Sequence, residues 1–210
     1  MSSHDLEPGY CQISCDSQYG IHGKTGTLSA SGNNPIYTIG HSTRTLSEFA
    51  GLLRVANVQL VIDVRSIRRS RANPQFNEST LGSDLEAYQI GYLPIPQLGG
   101  RRKRETAIDR SLNAFWDNRS FHNYADYALT ATFTTGLDLL LEVRASKRCA
   151  IMCSEAVWWR CHRRIIADYL LGRGVDVFHL MEGGKSVPAM LTEGAMVRED
   201  GTIVYPRGQE

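Results

Sequence analysis

Short aliphatic runs recur along this chain, each followed by polar residues or glycine, with helix-patterned stretches between them. "IYTIG" is a short β-rich run ended by glycine, and "VQLVIDVRSI" a near-continuous aliphatic run, which is how a strand covered on both faces reads; "RCAIMCS" reads as another buried strand and "VDVFHLM" as the next. "TLSEFAGLLRVAN" sets Leu46, Phe49, Leu52 and Leu53 on one helical face behind a cap at Thr45 or Ser47. "STLGSDLEAYQIG" predicts a helix before a Pro-bounded strand, "YLPIP". "YADYALTATFTTGLDLLLEVRAS" predicts helical material, and "CHRRIIADYLLGRG" an amphipathic helix closed by Gly172 and Gly174. Residues 97–123 read as a long polar and aromatic loop, and "TIVYP" near the end as an edge strand. Strands alternating with helices require an α/β fold: three layers, with a mainly parallel sheet and helices on both faces. Ligands of such sheets bind beyond the carboxyl ends of the strands, so the residues that follow each strand are the candidates.

The 210 residues suit one domain. Residues 1–35, rich in Ser, Gly, Asn and Asp without apolar periodicity, are expected to be a flexible extension of an α/β domain over 36–210. No apolar stretch approaches the roughly 20 residues of a membrane span, and the N-terminus lacks the basic start and apolar run of a secretory signal. Five cysteines without a disulfide-framework spacing point to a reducing cytoplasm. Cys11 and Cys15 have no second pair nearby and read as incidental. A net charge of +1 excludes a polycation, so any pull on anions must be local. Local clusters exist in "RSIRRSR", in "RRKR" (Arg101 to Arg104), and at Arg160, Arg163 and Arg164.

The strand ends gather reactive residue types. Gly40, His41 and Ser42 follow the first run, and Asp63 and Arg65 the second. Gly99, Gly100 and Arg101 follow the "YLPIP" strand. Cys153 and Glu155 follow "AIM", and Cys161, His162 and Arg163 open the next helix. An Asp63–Arg65 salt bridge would satisfy Asp63 without catalysis. The start of the last helix, with unsatisfied amides, would favour an anion at the same rim.

The stretches "YTIGHSTRTLSEF", "LVIDVRSIRRSRANPQFN", "IGYLPIPQLGGRR", "SFHNYADY" and "AIMCSEAVWWRCHRRIIADYLLGRGVDVFHL" resemble the bacterial family catalogued as domain of unknown function 488 (DUF488). The resemblance spans roughly residues 36–181. It implies that Gly40, His41, Ser42, Asp63, Arg65, Phe76, Gly99, Gly100, Tyr124, Asp126, Cys153, Glu155, Cys161, His162 and Arg163 are family motif positions, and it implies no activity. In layout the chain is also similar to rhodanese-like domains, with a cysteine between a strand and a helix start. The loop after Cys153 is longer than theirs, so the likeness sets no function.

Three chemistries compete at this rim. In an enzyme acting on a nucleotide, a nucleic acid or another anion, Arg65, Arg101 and Arg163 would fork phosphate. Ser42, Gly99 and Gly100 would line the anion site, and Trp158 or Trp159 would stack a base, one ring of the pair packing as cover and the other exposed. Glu155 or Asp63 would act as acid or base, His41 as proton shuttle, and Cys153 as a nucleophile made acidic by the helix start. A zinc or iron site would draw on Cys153, Cys161 and His162, with His41 as a fourth candidate, although Cys161 and His162 as helical neighbours would point about 100° apart. A binding module for nucleic acid or protein would need only the arginine-rich rim.

Overall fold

The computed structural model describes residues 34–208. The extension expected over residues 1–35, with Cys11 and Cys15, therefore lies outside the described residues except for Asn34 and Pro35.

Five strands run parallel: β1 (Ile36–Gly40), β2 (Leu60–Asp63), β3 (Gly91–Pro94), β4 (Cys149–Cys153) and β5 (Val177–Leu180). Their order is β3-β2-β4-β1-β5, and β6 (Ser186–Pro188) adds an antiparallel edge beside β5. The helices are α1 (Leu46–Val55), α2 (Glu78–Glu86), α3 (Arg119–Tyr127), α4 (Ala131–Ser146) and α5 (Arg163–Leu171). Because strand side chains alternate, the apolar runs feed two cores at once. Leu60, Ile62, Cys149 and Ile151 pack with Tyr124, Phe133, Leu137, Ile165 and Leu170 from α3, α4 and α5. Val61, Ala150 and Met152 face the other way, onto Phe49 and Leu53 of α1 and Leu81 and Leu85 of α2. The expected three-layer α/β architecture is the observed one. Among the described residues no helix is long and apolar enough to cross a membrane.

Thr45, not Ser47, caps α1. Its hydroxyl accepts from Glu48 N while the Glu48 carboxylate accepts from Thr45 N at 2.8 Å, a reciprocal box worth about 1 kcal/mol. The segment expected to be loop over 97–123 holds two short 3-10 turns and, from Arg119, the start of α3. Asn118 starts that helix by accepting from Ser120 N and Phe121 N. The helical material beyond it is two helices, because Thr130 ends one turn and caps α4. "TIVYP" is not an edge of the main sheet. β8 (Ile203–Val204) is buried and pairs with β7 (Met196–Val197) in a separate hairpin. Tyr205 is fully buried, its hydroxyl donating to Asp168 at 2.9 Å, so this segment belongs to the core.

The register decides where function can sit. Gly40 lies opposite Cys153, and Asp63 opposite Met152. The ends of β1, β4 and β2 therefore form one rim, and everything that follows them faces the same space.

Candidate functional site

β2 delivers Asp63 and Arg65, and the two are committed to each other. Asp63, with no exposed surface, accepts from the Arg65 backbone N at 3.0 Å, from Arg65 Nε at 2.9 Å and Nη2 at 2.6 Å, and from the Tyr92 hydroxyl at 2.6 Å. Arg65 Nη2 also donates to Phe76 O at 2.8 Å, and Nη1 to His41 Nε2 at 3.2 Å. Four of the five guanidinium N–H groups are thus engaged, which leaves Arg65 a rigid wall with one edge toward solvent. Asp63 is the anchor of Arg65. It is not placed as an acid or base, because its oxygens are filled and turned from the cavity.

His41 stands behind Arg65. It stacks on Phe76 at 4.3 Å, accepts at Nε2 from Arg65, and donates from Nδ1 to Ser42 O at 2.9 Å. Both nitrogens are occupied, so the proton-shuttle role does not fit. Burial lowers its pKa to about 4, and the Arg65 charge adds to this. His179 is alike: stacked on Trp158 at 4.3 Å and bonded to Thr38 Oγ1, it is brought to about 4 by burial and the Arg163 charge. Unfolding therefore takes up protons at both rings between pH 6.5 and about 4. Stability is full above pH 6.5 and falls as pH drops through that window. The urea midpoint is expected to decline from pH 7.5 to 4.5, with a shallower decline in a His41→Gln, His179→Gln double variant. Equal slopes for the two proteins would remove these rings from the acid response.

β4 delivers Cys153, and a loop with a 3-10 turn at Trp158–Arg160 brings Cys161 back onto it. The two sulfurs stand 2.8 Å apart, inside van der Waals contact but well beyond a covalent S–S bond, and both thiols are free. Cys161 has extended backbone and His162 caps α5, so they are not helical neighbours; Cys161 Sγ lies 3.5 Å from His162 Nδ1. Arg163 turns its backbone N and its Nε to the same sulfur at 3.5 and 3.4 Å. His162 Nε2 donates to Val64 O at 3.1 Å. Burial opposes a charge on Cys161, but the Cys153 S–H, the His162 and Arg163 charges and the His162 bond outweigh it and hold this thiol well below its ordinary value. Burial, with the bond and charge of Cys161, pushes Cys153 the other way. His162 loses basicity on burial but regains more from Cys161, ending above its ordinary value. The contacts around Cys161 favour the thiolate there, with His162 as the adjoining cation and Cys153 as the S–H donor. This corrects the expectation that Cys153 would be the acidic thiol. The available signal was the string Cys161-His162-Arg163, which supplies every charge involved but Cys153's proton.

A cavity of about 680 Å³ opens over this pair. Of the expected residues, Arg65, Gly100, Arg101, Cys153 and Glu155 line it, together with Cys161 and His162. Arg102, Lys103 and Arg160 complete a basic wall, and among the described residues Glu155 is the one carboxylate in the lining. Arg101, Lys103 and Arg160 are exposed, and among the described residues none makes an ion pair. Six expected residues do not line the cavity. Asp63 and His41 lie behind it. Ser42 uses its backbone to hold Ser154, its N donating to Ser154 O at 3.0 Å. Arg163 is buried, bonded to Glu155 O at 2.7 Å and to Cys161, so it acts on the thiolate and not on an anion in the cavity. Trp158 has one face on His179, and the exposed ring is Trp159. Gly99 is a close-approach position: a Cβ there would come 2.7 Å from Ser66 Oγ, which accepts from Arg101 N. Gly100 serves the site directly, since a Cβ would sit 2.4 Å from His162 Nδ1.

Cys153, Glu155 and Cys161 could hold a metal, their ligand atoms all lying within 4.8 Å of one another. The set is thiolate-rich, as zinc or iron would want. Two thiolates on one tetrahedral zinc stand about 3.7 Å apart, however, a separation the 2.8 Å sulfur pair does not match. His162 is not part of this group, so among the described residues no fourth protein ligand converges with it.

The model of the family described as "Domain of unknown function DUF488" matches residues 45–170, a stretch that holds Asp63, Arg65, the basic wall and the cysteine pair. No curated protein and no solved structure matches the chain.

Proposed function

The chain belongs to the family described as domain of unknown function DUF488, and from that premise we propose that it is a thiol-dependent enzyme acting on a phosphate-bearing anion of nucleotide size. The observation that carries this reading is the Cys161–His162 pair, 3.5 Å apart, on the floor of a cavity with a basic wall. A thiolate is a nucleophile at neutral pH where a thiol is not. Among the described residues Arg101, Lys103 and Arg160 have no carboxylate partner, so they can hold the substrate's charge, while Arg65 is fixed in place to orient it. The volume lies within the usual range for small-molecule sites. Glu155 is placed to exchange a proton with a leaving group. Cys161 takes the nucleophile's role that sequence reasoning gave to Cys153.

Alkylation with iodoacetamide, followed by peptide mass at each cysteine, tests the proposal. Cys161 is expected to react at pH 6 at least about tenfold faster than Cys149. Burial raises Cys149 to about 11, so its rate should still be climbing at pH 9. Inorganic phosphate or adenosine monophosphate should protect Cys161, and Arg160→Ala with Arg101→Ala should weaken that protection. Equal, slow rates at both thiols, or no protection by any phosphate compound, would remove the reading. Protection by a single-stranded oligonucleotide alone would assign the rim to nucleic-acid binding.

A further inference from the structure

The sulfur contact has a use that anion binding does not require. We propose that Cys161 and Cys153 are a dithiol that reduces small hydroperoxides, Cys161 attacking and Cys153 resolving, and that closes to a disulfide in the same cavity. The proposal rests on the reading of Cys161 as the nucleophilic thiolate.

Three observations carry it. The sulfurs already stand 2.8 Å apart, so a bond needs less than 1 Å of further approach. Cys153 is fixed at the end of a fully buried strand, whereas Cys161 follows a loop whose Ser154, Glu155, Ala156, Trp159 and Arg160 are exposed, so one partner can move toward a fixed one. Both cysteines line the cavity, while Cys149, on the same strand, donates its S–H to Lys147 O and does not.

The chemistry balances. Cys161 sulfur attacks the terminal oxygen of the hydroperoxide. The S–O bond forms, the O–O bond breaks, and the alkoxide leaves with a proton from His162 as an alcohol, or as water when the oxidant is hydrogen peroxide. Cys161 is now a sulfenic acid. Cys153 gives up its proton and its sulfur attacks the Cys161 sulfur. The S–S bond forms, the S–O bond breaks, and hydroxide leaves protonated as water. Two thiols are oxidised to a disulfide and one peroxide O–O bond is reduced. Arg163 Nε, 3.4 Å from the Cys161 sulfur, stabilises the negative charge as it passes to oxygen.

Reduced full-length protein is treated with equimolar hydrogen peroxide at pH 7, quenched by alkylation and mapped by peptide mass. Expected are a Cys153–Cys161 cross-link reversed by dithiothreitol, and loss of these thiols about 100-fold faster than loss of Cys149. Cys153→Ser should stop at a sulfenic acid that dimedone traps on Cys161. Cys161→Ser should leave Cys153 reduced. Retention of both thiols in the wild type, or oxidation of Cys161 to the sulfinic acid without a cross-link, overturns the proposal. So does bound zinc that suppresses the reaction until it is chelated. The wild-type map decides the matter even if a variant fails to fold. Phosphate-protected alkylation of Cys161 without a cross-link would leave the proposed function standing and this inference fallen. A cross-link without phosphate protection would do the reverse.

Discussion

Replacing Asp63 with alanine is expected to lower the unfolding free energy by about 3–5 kcal/mol, since it strands a buried guanidinium. Arg65 is 5% exposed and Asp63 not at all, and water cannot replace the carboxylate. The Tyr92 hydroxyl and the Arg65 backbone N–H lose their acceptor at the same time. An Asp63→Leu, Arg65→Met double variant should recover much of the loss, because a buried ion pair exchanged for packed apolar side chains is often neutral. Urea unfolding of the single and double variants measures both. If the double variant is no more stable than Asp63→Ala, the pair is not the source of the cost. The double variant should also lose phosphate protection of Cys161, since the fixed wall of the cavity goes with Arg65.

Gly40→Ala is the second large effect. A Cβ at this position would lie 1.8 Å from Glu155 O and 2.6 Å from its carbonyl carbon, and backbone cannot step aside as a flexible side chain can. Room can be made only by parting β1 from the segment after β4. That strains the bonds from His41 N to Cys153 O at 2.9 Å and from Ser42 N to Ser154 O at 3.0 Å. A cost of about 3 kcal/mol is expected. Because Glu155 O also holds Arg163 Nη2, the displaced loop should draw Arg163 away from Cys161 and slow its alkylation at pH 6. Gly51→Ala is the control. It sits on the exposed face of α1, where a Cβ meets nothing, and should stabilise by about 1 kcal/mol. Comparable melting temperatures for the two variants would show that the contact at Gly40 is not tight.

Local chemistry was enough for the scaffold. The largely apolar runs of β1, β2, β4 and β5 announce buried strands, and Thr45 with Glu48 writes its own helix start within four residues. Parallel strands joined by helices must put their carboxyl ends together, so the rim was legible from position alone, with Arg65, Gly100, Arg101, Cys153 and Glu155 on it. Asp63 and Arg65, two apart, already suggested the pair they form. The features sequence reasoning misplaced depend on contacts it cannot count. Trp158 is no free stacking face because His179, from a different strand, covers it. Arg163 turns inward because the Glu155 carbonyl and the Cys161 sulfur are there to receive it. Which cysteine is acidic is the clearest case. Cys153 and Cys161 are the same residue type eight positions apart, and their pKa values part only when the loop folds back. One sulfur then sits among an imidazole, a guanidinium and a backbone N–H, and the other is left to donate its proton. The chain's local patterns determined its strands, its helix caps and the end of the sheet where chemistry gathers. Only the tertiary structure decided which thiol is the one surrounded by charge-stabilising groups, because those groups have no fixed distance from one another until the chain is folded.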